Sequence, residues 1–425
     1  MIASGGMAMT RRAPIRAEEI SATRRWAAFA FLMIAEFFYG WSWNTVDILR
    51  PQIRADLGLT LTQAGSIYTA QSLGALVGAI ILAQIADRVG RRRTLFVVIA
   101  GYGVFGGCGV YVTGYPMLLT QRFMLGFFLG AIFPVLIGTY MSLFASDIRG
   151  KLAAVGNGTY NAAVIALGWA SGTAVGQADW HLLLWVAAIP PVVIAPLVFL
   201  FVPDDRNMRP WGADTAEPSR ARLPIVELFS PELRRRTALL FLLVGLNFFG
   251  YQAFAGWVTT YLKDVKHFAP DIAARIVYSQ FIGAMLGAFF WGWFSDRFGR
   301  RLAGIGFFGG AVAVLLYLTV LDSAFALQMG GFAWGFMITA SVAWAPWLSE
   351  LYPARIRSTA MSIFNWGRII SMTAPLITGA IAERFDLASA MLLSVVGFGA
   401  GGIVWLMIPE TRFRAASARN PAVSA

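Results

Sequence analysis

Four ionisable side chains sit inside long apolar segments of this 425-residue chain: Glu36, Asp47, Arg122 and Arg368. Charge in that setting is costly and usually faces a polar cavity, where it can take a proton or pair with a charged solute. Glu36 lies ten residues into the first apolar segment, about 15 Å deep at the helical rise and near the middle of a bilayer. Asp47 follows after a helical rotation of about 1100°, within about 20° of whole turns, so the two carboxylates share a face. Tyr39, Gly40, Trp43 and Arg50 lie along the same stripe. Glu36 or Asp47 is therefore a candidate proton-coupling group, and Arg122, in the outer part of the fourth segment, is placed to tune it. The alternative for Asp47 is a fixed pairing with Arg50 at the outer interface.

Arg368 lies ten residues into the eleventh segment, with Asn365 one turn earlier. A guanidinium near mid-membrane needs an anion, and its planar fork fits a carboxylate with two parallel bonds. It reads either as the anchor for an anionic substrate or as half of a structural pair with a carboxylate such as Glu36. Asn157, Tyr160 and Asn161 in the fifth segment, and Asn247, Tyr251 and Gln252 in the seventh, add amide and phenol groups. With Tyr39 they are expected to line a polar cavity; singly, each also fits a role bridging packed helices. Trp257, Trp334, Trp344 and Trp347 are aromatic candidates for stacking on a substrate, or interfacial anchors.

The elements that must hold these groups are legible in the composition. Hydrophobic residues make up 58% and charged residues 13%, with 44 glycines and a mean hydropathy of +0.65. A soluble domain carries about 25% charged residues, so most of this chain cannot face water. Twelve apolar segments of spanning length are predicted, at 26–48, 62–84, 94–113, 117–144, 151–174, 181–202, 238–262, 273–294, 303–321, 325–348, 358–382 and 388–408. The net charge of +12 follows from topology. Only Arg50, Arg54, Lys263, Lys266, Arg275 and Arg384 fall in odd-numbered loops, and Arg122 and Arg368 inside segments. The other Lys and Arg cluster at the tails and even-numbered loops, which places both termini in the cytoplasm of a multi-pass inner-membrane protein. Nucleic-acid binding is not implied. Residues 1–25 read as a cytoplasmic tail, not a signal peptide. The expected organisation is a six-helix bundle over 26–203, a cytoplasmic linker over 204–237, a second bundle over 238–409 and a tail over 410–425.

The two halves repeat. Asp87-Arg88-Val89-Gly90-Arg91-Arg92 recurs as Asp296-Arg297-Phe298-Gly299-Arg300-Arg301, a duplication at half the chain length. Ile148-Arg149 matches Ile356-Arg357, Asn157 matches Asn365, and Pro203-Asp204 matches Pro409-Glu410. With Arg122 followed by Gly126 and Gly130, and with Glu350-Leu-Tyr-Pro353-Ala-Arg-Ile-Arg357, the chain resembles the major facilitator superfamily of secondary transporters over residues 26–410. Its organic-acid:proton symporter branch carries a stretch similar to Gly367-Arg368-Ile369. The resemblance implies an all-α membrane fold of twelve helices in two pseudo-symmetric bundles and alternating access. It also implies a conformational latch in the repeated loops: Asp87, Arg88, Gly90, Arg91, Asp296, Arg297, Gly299 and Arg300, with Glu350 and Arg357. Where aromatic-acid symporters usually carry Asp-Gly-x-Asp, this chain has Tyr39-Gly40-Trp41-Ser42. Both acids are missing, which speaks against an aromatic-acid substrate and leaves a monocarboxylate, a sugar acid or a sialate-like acid open.

The expected function is proton-coupled import of a small organic anion, by a chain working as a monomer without a cofactor. The alternative is a proton-coupled exporter, or a porter of neutral or cationic solutes. No nucleotide-binding or nucleophile–base motif argues for an ATP-driven pump or an enzyme. Cys108 is the single cysteine, and His181 and His267 are far apart in sequence, so neither a disulfide nor a local metal motif is available.

Overall fold

A computed structural model describes residues 15–173, 178–209, 211, 224–353, 356, 360 and 363–411. The long helices of the first half are α1 (Ala22–Ile48), α3 (Leu61–Val89), α4 (Arg91–Cys108), α5 (Tyr115–Leu143) and α6 (Ser146–Gly172), with a short α2 (Arg50–Asp56) after α1. The sixth rod is α7 (His181–Ile194) and α8 (Val198–Phe201), stepped by Pro190, Pro191 and a 3-10 turn holding Pro196. The second half repeats the order: α9 (Arg234–Thr260), α10 (Pro270–Phe298), α11 (Ile305–Thr319), then α12 (Ala324–Ile338) and α13 (Trp344–Leu351) joined by a 3-10 stretch. The eleventh rod is broken into α14 (Ile363–Trp366), α15 (Arg368–Ser371) and α16 (Ala374–Arg384), and the twelfth is α17 (Leu387–Met391) with α18 (Leu393–Met407). Among the described residues these make twelve rods in two bundles of six. The chain is an all-α membrane protein.

Capping explains where several rods begin. Ser21 accepts the Arg24 N–H at the start of α1. Thr60 and Gln63 form a reciprocal capping box at the start of α3. Ser323 and Asp386 cap α12 and α17.

The repeat extends to packing. In the first bundle α3 lies against α5, and the backbones meet at glycines on both helices. A Cβ on Gly74 or Gly78 would strike the Phe123 and Phe127 carbonyls, and one on Gly126 would strike that of Gln71. In the second bundle α10 lies against α12 in the same way. There Gly283 and Gly287 face the Phe332 and Phe336 carbonyls, and Gly335 faces that of Gln280. The pairs Gly74/Gly283, Gly78/Gly287 and Gly126/Gly335 share the spacing of the loop motif. Small residues let helices approach closely in lipid, where apolar burial drives little association.

The outer surface carries large apolar side chains, including Leu200, Trp169, Phe289 and Val396, each more than half exposed. That belt suits lipid. Among the described residues nine helices are long and apolar enough to cross a membrane. The rods that fall short are α1, which carries the buried Glu36, Asn44 and Asp47, α6, and the eleventh rod, which is broken into short pieces.

The bundles touch chiefly through α3 with α16 and α6 with α10. Gly65 sits on the Pro375 carbonyl, Gly379 on that of Leu61, and Gly172 on Ala274. The Thr69 hydroxyl donates to the Met372 carbonyl at 2.6 Å. These contacts lie toward the ends of the rods opposite the repeated loops, so that face is shut.

Candidate functional site

The break in the eleventh rod places Arg368. Gly367 packs against Val244 and Gly245 of α9, so close that a Cβ would not fit, and α15 starts at the next residue. From there the guanidinium crosses to the other bundle and lies over the Trp43 ring, 4.5 Å from its centroid. The Tyr39 phenol faces the same guanidinium, and Tyr68 and Tyr160 are within its electrostatic reach. The aromatic wall is continuous: Tyr39–Tyr160 at 5.7 Å, Tyr39–Trp43 at 6.1 Å and Trp43–Tyr68 at 6.5 Å between centroids. The Asn44 amide fixes Tyr160 by donating to its hydroxyl at 2.9 Å, and Gln71 donates to the Trp43 carbonyl at 3.0 Å. Among the described residues no carboxylate forms a salt bridge with Arg368.

Glu36 lies deeper in the first bundle and is 4% exposed, with Oε2 buried and unpartnered. Its neighbours are phenols. Tyr39, Tyr102 and Tyr140 all feel its charge, and Tyr102 is held by its hydroxyl donating to the Ala35 carbonyl at 3.2 Å. The alternative pairing of Arg368 with Glu36 is not formed; Tyr39 stands between them.

Asp47 and Arg122 do not pair directly. Asp47 accepts from Arg50 at 2.7 Å, and Arg122 donates to the Thr45 hydroxyl at 3.0 Å, keeping only through-space attraction to Asp47. The reason is proximity: Arg50 follows Asp47 by one helical turn, and Thr45 intervenes before Arg122. Arg50 is fully buried and lies 4.6 Å over the Trp257 ring, while Gln252 of α9 bonds Asp47. One turn further out Arg54 pairs with Asp264. This network joins the bundles on the shut face.

The remaining polar candidates divide. Asn161 donates to the Asn157 side chain at 2.6 Å, so that pair satisfies itself along one face of α6. Asn247 is buried with Oδ1 unpartnered. Tyr251 stacks on Trp334 at 5.6 Å and lies within electrostatic reach of Tyr160, Tyr68 and Asp47. Trp344 and Trp347 pack around Trp405 in the second bundle's core, away from Arg368. The Asn365 and Asp87 side chains and Arg357 lie outside the described residues.

Both repeated loops turn at a glycine with positive φ, Gly90 (100°) and Gly299 (112°). A carboxylate then caps the next rod. Asp205 accepts from the Arg91 and Arg92 N–H groups at 2.9 and 3.3 Å, and Glu410 from those of Arg300 and Arg301 at 3.1 and 2.8 Å. The acid equivalent to Glu410 is thus Asp205, one residue beyond the expected Asp204; the chain after the sixth rod takes one more step before reaching the loop. Arg91 also donates to the Gly138 carbonyl at 2.7 Å, and Arg300 to Asp296 at 2.5 Å and Glu350 at 3.2 Å. Arg88 is exposed, and Arg297 ends α10. These bonds tie neighbouring rods within a bundle.

Sequence reasoning missed Tyr68, Arg54, Asp264 and Asp205. The Asp47–Arg50 pair is the alternative the sequence offered for Asp47.

Known proteins match this architecture. The model of the family described as Major Facilitator Superfamily matches residues 32–280 and 267–423. A 3-(3-hydroxy-phenyl)propionate transporter of Escherichia coli K12 is 26% identical, covering 94% of this chain and 98% of its own. A cis,cis-muconate transport protein of Acinetobacter baylyi is 24% identical over 91% and 95% of the two chains. Among solved structures, a bacterial homologue of the human lysosomal transporter Spinster, inward-facing and unoccupied, superposes with a TM-score of 0.78 at 14% identity, over 92% of this chain and 98% of that one. A D-xylose–proton symporter gives 0.71 at 17% identity, over 91% and 98%. Twelve rods in two glycine-packed bundles, the twinned loops and this match together place the chain in the Major Facilitator Superfamily, a family of membrane transporters and not of enzymes.

Proposed function

We propose that the chain imports a small organic acid together with protons by alternating access. The carrying observation is Arg368: a guanidinium held against Trp43 and faced by Tyr39, without a carboxylate partner among the described residues. A substrate carboxylate takes the guanidinium edge, and the aromatic wall holds its apolar body. The wall and the relative named for hydroxyphenylpropionate favour an aryl carboxylate over a sugar acid. Tyr39 and Ser42 stand where symporters of the Asp-Gly-x-Asp pattern carry carboxylates, so a phenol and a hydroxyl replace two acids there.

Glu36 is the proton carrier in this reading. It is buried among phenols with no cation beside it, so gaining a proton removes an uncompensated buried charge. Tyr39 stands between proton site and anion site. Tyr39 feels both Arg368 and Glu36, so a substrate that takes the guanidinium acts on the phenol beside the proton site. Asp47 belongs to the shut face in this account and reaches Gln252 of the second bundle, while Arg122 braces Thr45 within the first.

The positive-inside rule puts the repeated loops and both termini in the cytoplasm. The shut face is then the external one. The deciding experiment is uptake of labelled aryl and aliphatic carboxylates into proteoliposomes, with and without an imposed proton gradient. Uptake of aryl acids that rises with the gradient is expected; uptake of none sinks the reading.

A further inference from the structure

The first turn of α3 is completed by the other bundle. A helix leaves its first N–H groups without internal partners. Here the Thr60 hydroxyl takes the Gln63 N–H at 3.2 Å, and the Gln63 side chain takes that of Thr60 at 3.0 Å. The N–H groups of Leu61 and Thr62 remain. Glu383, at the end of α16, reaches them: Oε1 accepts from the Thr62 N–H at 2.8 Å, and the Leu61 N–H and the Thr60 and Thr62 hydroxyls also favour its charged form. This carboxylate lies in the opposite half of the chain and caps the helix across the shut face.

We propose that Glu383 is a gate-positioning residue: its charge caps α3 only while this face is closed, and opening must break the cap. The inference rests on the alternating-access reading but on no substrate or proton assignment. The geometry makes the bond conditional. The Gly65–Pro375 and Gly379–Leu61 contacts fix α16 against α3 with no slack, so separating the bundles removes the carboxylate from the helix end. A negative charge at a helix N-terminus is also favoured by the aligned backbone dipoles. An open face loses both effects and exposes two N–H groups to water.

Ionisation state follows the same logic. The Thr62 N–H, then the threonine hydroxyls, hold the Glu383 carboxyl below its usual range in the closed form. The depressed value belongs to the closed state, so that state is favoured above the ordinary carboxylate range and loses the preference as pH falls through it. The ionisable groups on elements packed around the cap are Arg384 and Asp386 beside it in the chain, and Lys263 and Asp264 at the end of the seventh rod. Asp386 is committed to the Ser389 N–H at 2.8 Å, and Asp264 to Arg54.

The test is a distance measurement without substrate. Spin labels on Asp56→Cys and His267→Cys, in a Cys108→Ser background, report the gap between the bundles on this face by double electron–electron resonance in lipid. Glu383→Gln should raise the ratio of open to closed populations about two- to five-fold at neutral pH. The parent should move the same way between pH 7 and pH 4, and the variant should respond less. Glu383→Asp, one carbon too short to reach, serves if the glutamine variant fails to fold. Distributions identical in parent and variant, or an undiminished acid response in Glu383→Gln, overturn the proposal. Failure of carboxylate uptake would leave this readout intact, so the two readings fail separately.

Discussion

Arg368 of the eleventh rod stacks on Trp43 of the first, its guanidinium carbon 4.5 Å from the ring centroid. The contact joins the bundles at the centre of the molecule and leaves the guanidinium edge for a ligand. Arg368→Lys keeps a cation near the ring but loses the planar fork. Carboxylate binding should weaken about 10- to 100-fold, the worth of a charge-assisted bond of about 1.5–3 kcal/mol. Isothermal titration with a hydroxylated aryl carboxylate measures it; unchanged affinity would remove Arg368 as the anchor.

Trp43→Leu removes the ring and keeps an apolar side chain. A cation–π contact in a partly desolvated setting is worth about 0.5–2 kcal/mol. The KM for an aryl acid should rise several-fold, and Trp43→Phe should recover part of it. Equal effects of Leu and Phe would show that only volume matters there.

Glu36→Gln abolishes the exchangeable proton but preserves the shape of the side chain. Gradient-driven accumulation should be lost while substrate counterflow continues. Proteoliposomes assayed both ways separate the two. Accumulation at the parent level would exclude Glu36 from coupling.

Arg54 and Asp264 meet across the shut face. Cysteines at both positions, in a Cys108→Ser background, should be bridged by a bifunctional methanethiosulfonate long enough to replace the two side chains; the bridge should stop transport, and reductant should restore it. Transport that continues in the bridged protein would mean that this face need not open.

Gly299 turns with φ 112°, and a Cβ there would also strike the Glu410 carboxylate. Gly299→Ala should destabilise the protein by about 1 kcal/mol or more, seen as a lower melting temperature in detergent. Gly90→Ala, on the first copy of the turn, should behave alike. A neutral result at both would contradict the strain argument.

Much of the fold was readable because bilayer thickness and the aversion of lipid to charge act on every residue of a span. The apolar runs and the twinned Asp-Arg-x-Gly-Arg-Arg loops therefore announce rods and halves. The glycine pairs of α3–α5 and α10–α12 were equally present in the sequence, but a glycine gives no sign of which carbonyl it will meet. The site was legible where chemistry forbids a bland answer, as for Glu36 and Arg368. It was illegible where a partner comes from a distant rod. Asp47 was offered as a partner for Arg50 by their one-turn spacing, but Trp257, which also encloses Arg50, comes from α9. Glu383 follows the predicted span over 358–382, and nothing there names α3 as its partner. The Asp204/Asp205 shift shows a further limit: a repeat fixes the kind of group, and the path of the chain fixes which neighbour supplies it.

The three rods that fall short of the apolar threshold, α1, α6 and the broken eleventh, have a consequence for biogenesis. A segment too polar to partition into lipid alone is retained by the neighbours it meets during insertion. Here α1 leans on α6, and the eleventh rod leans on α3 and α9. Substitutions at these seams would first appear as chains that never complete their membrane topology. Loss of transport at such positions has to be separated from loss of protein, because the residues that make room for a solute also make the chain reluctant to enter the bilayer.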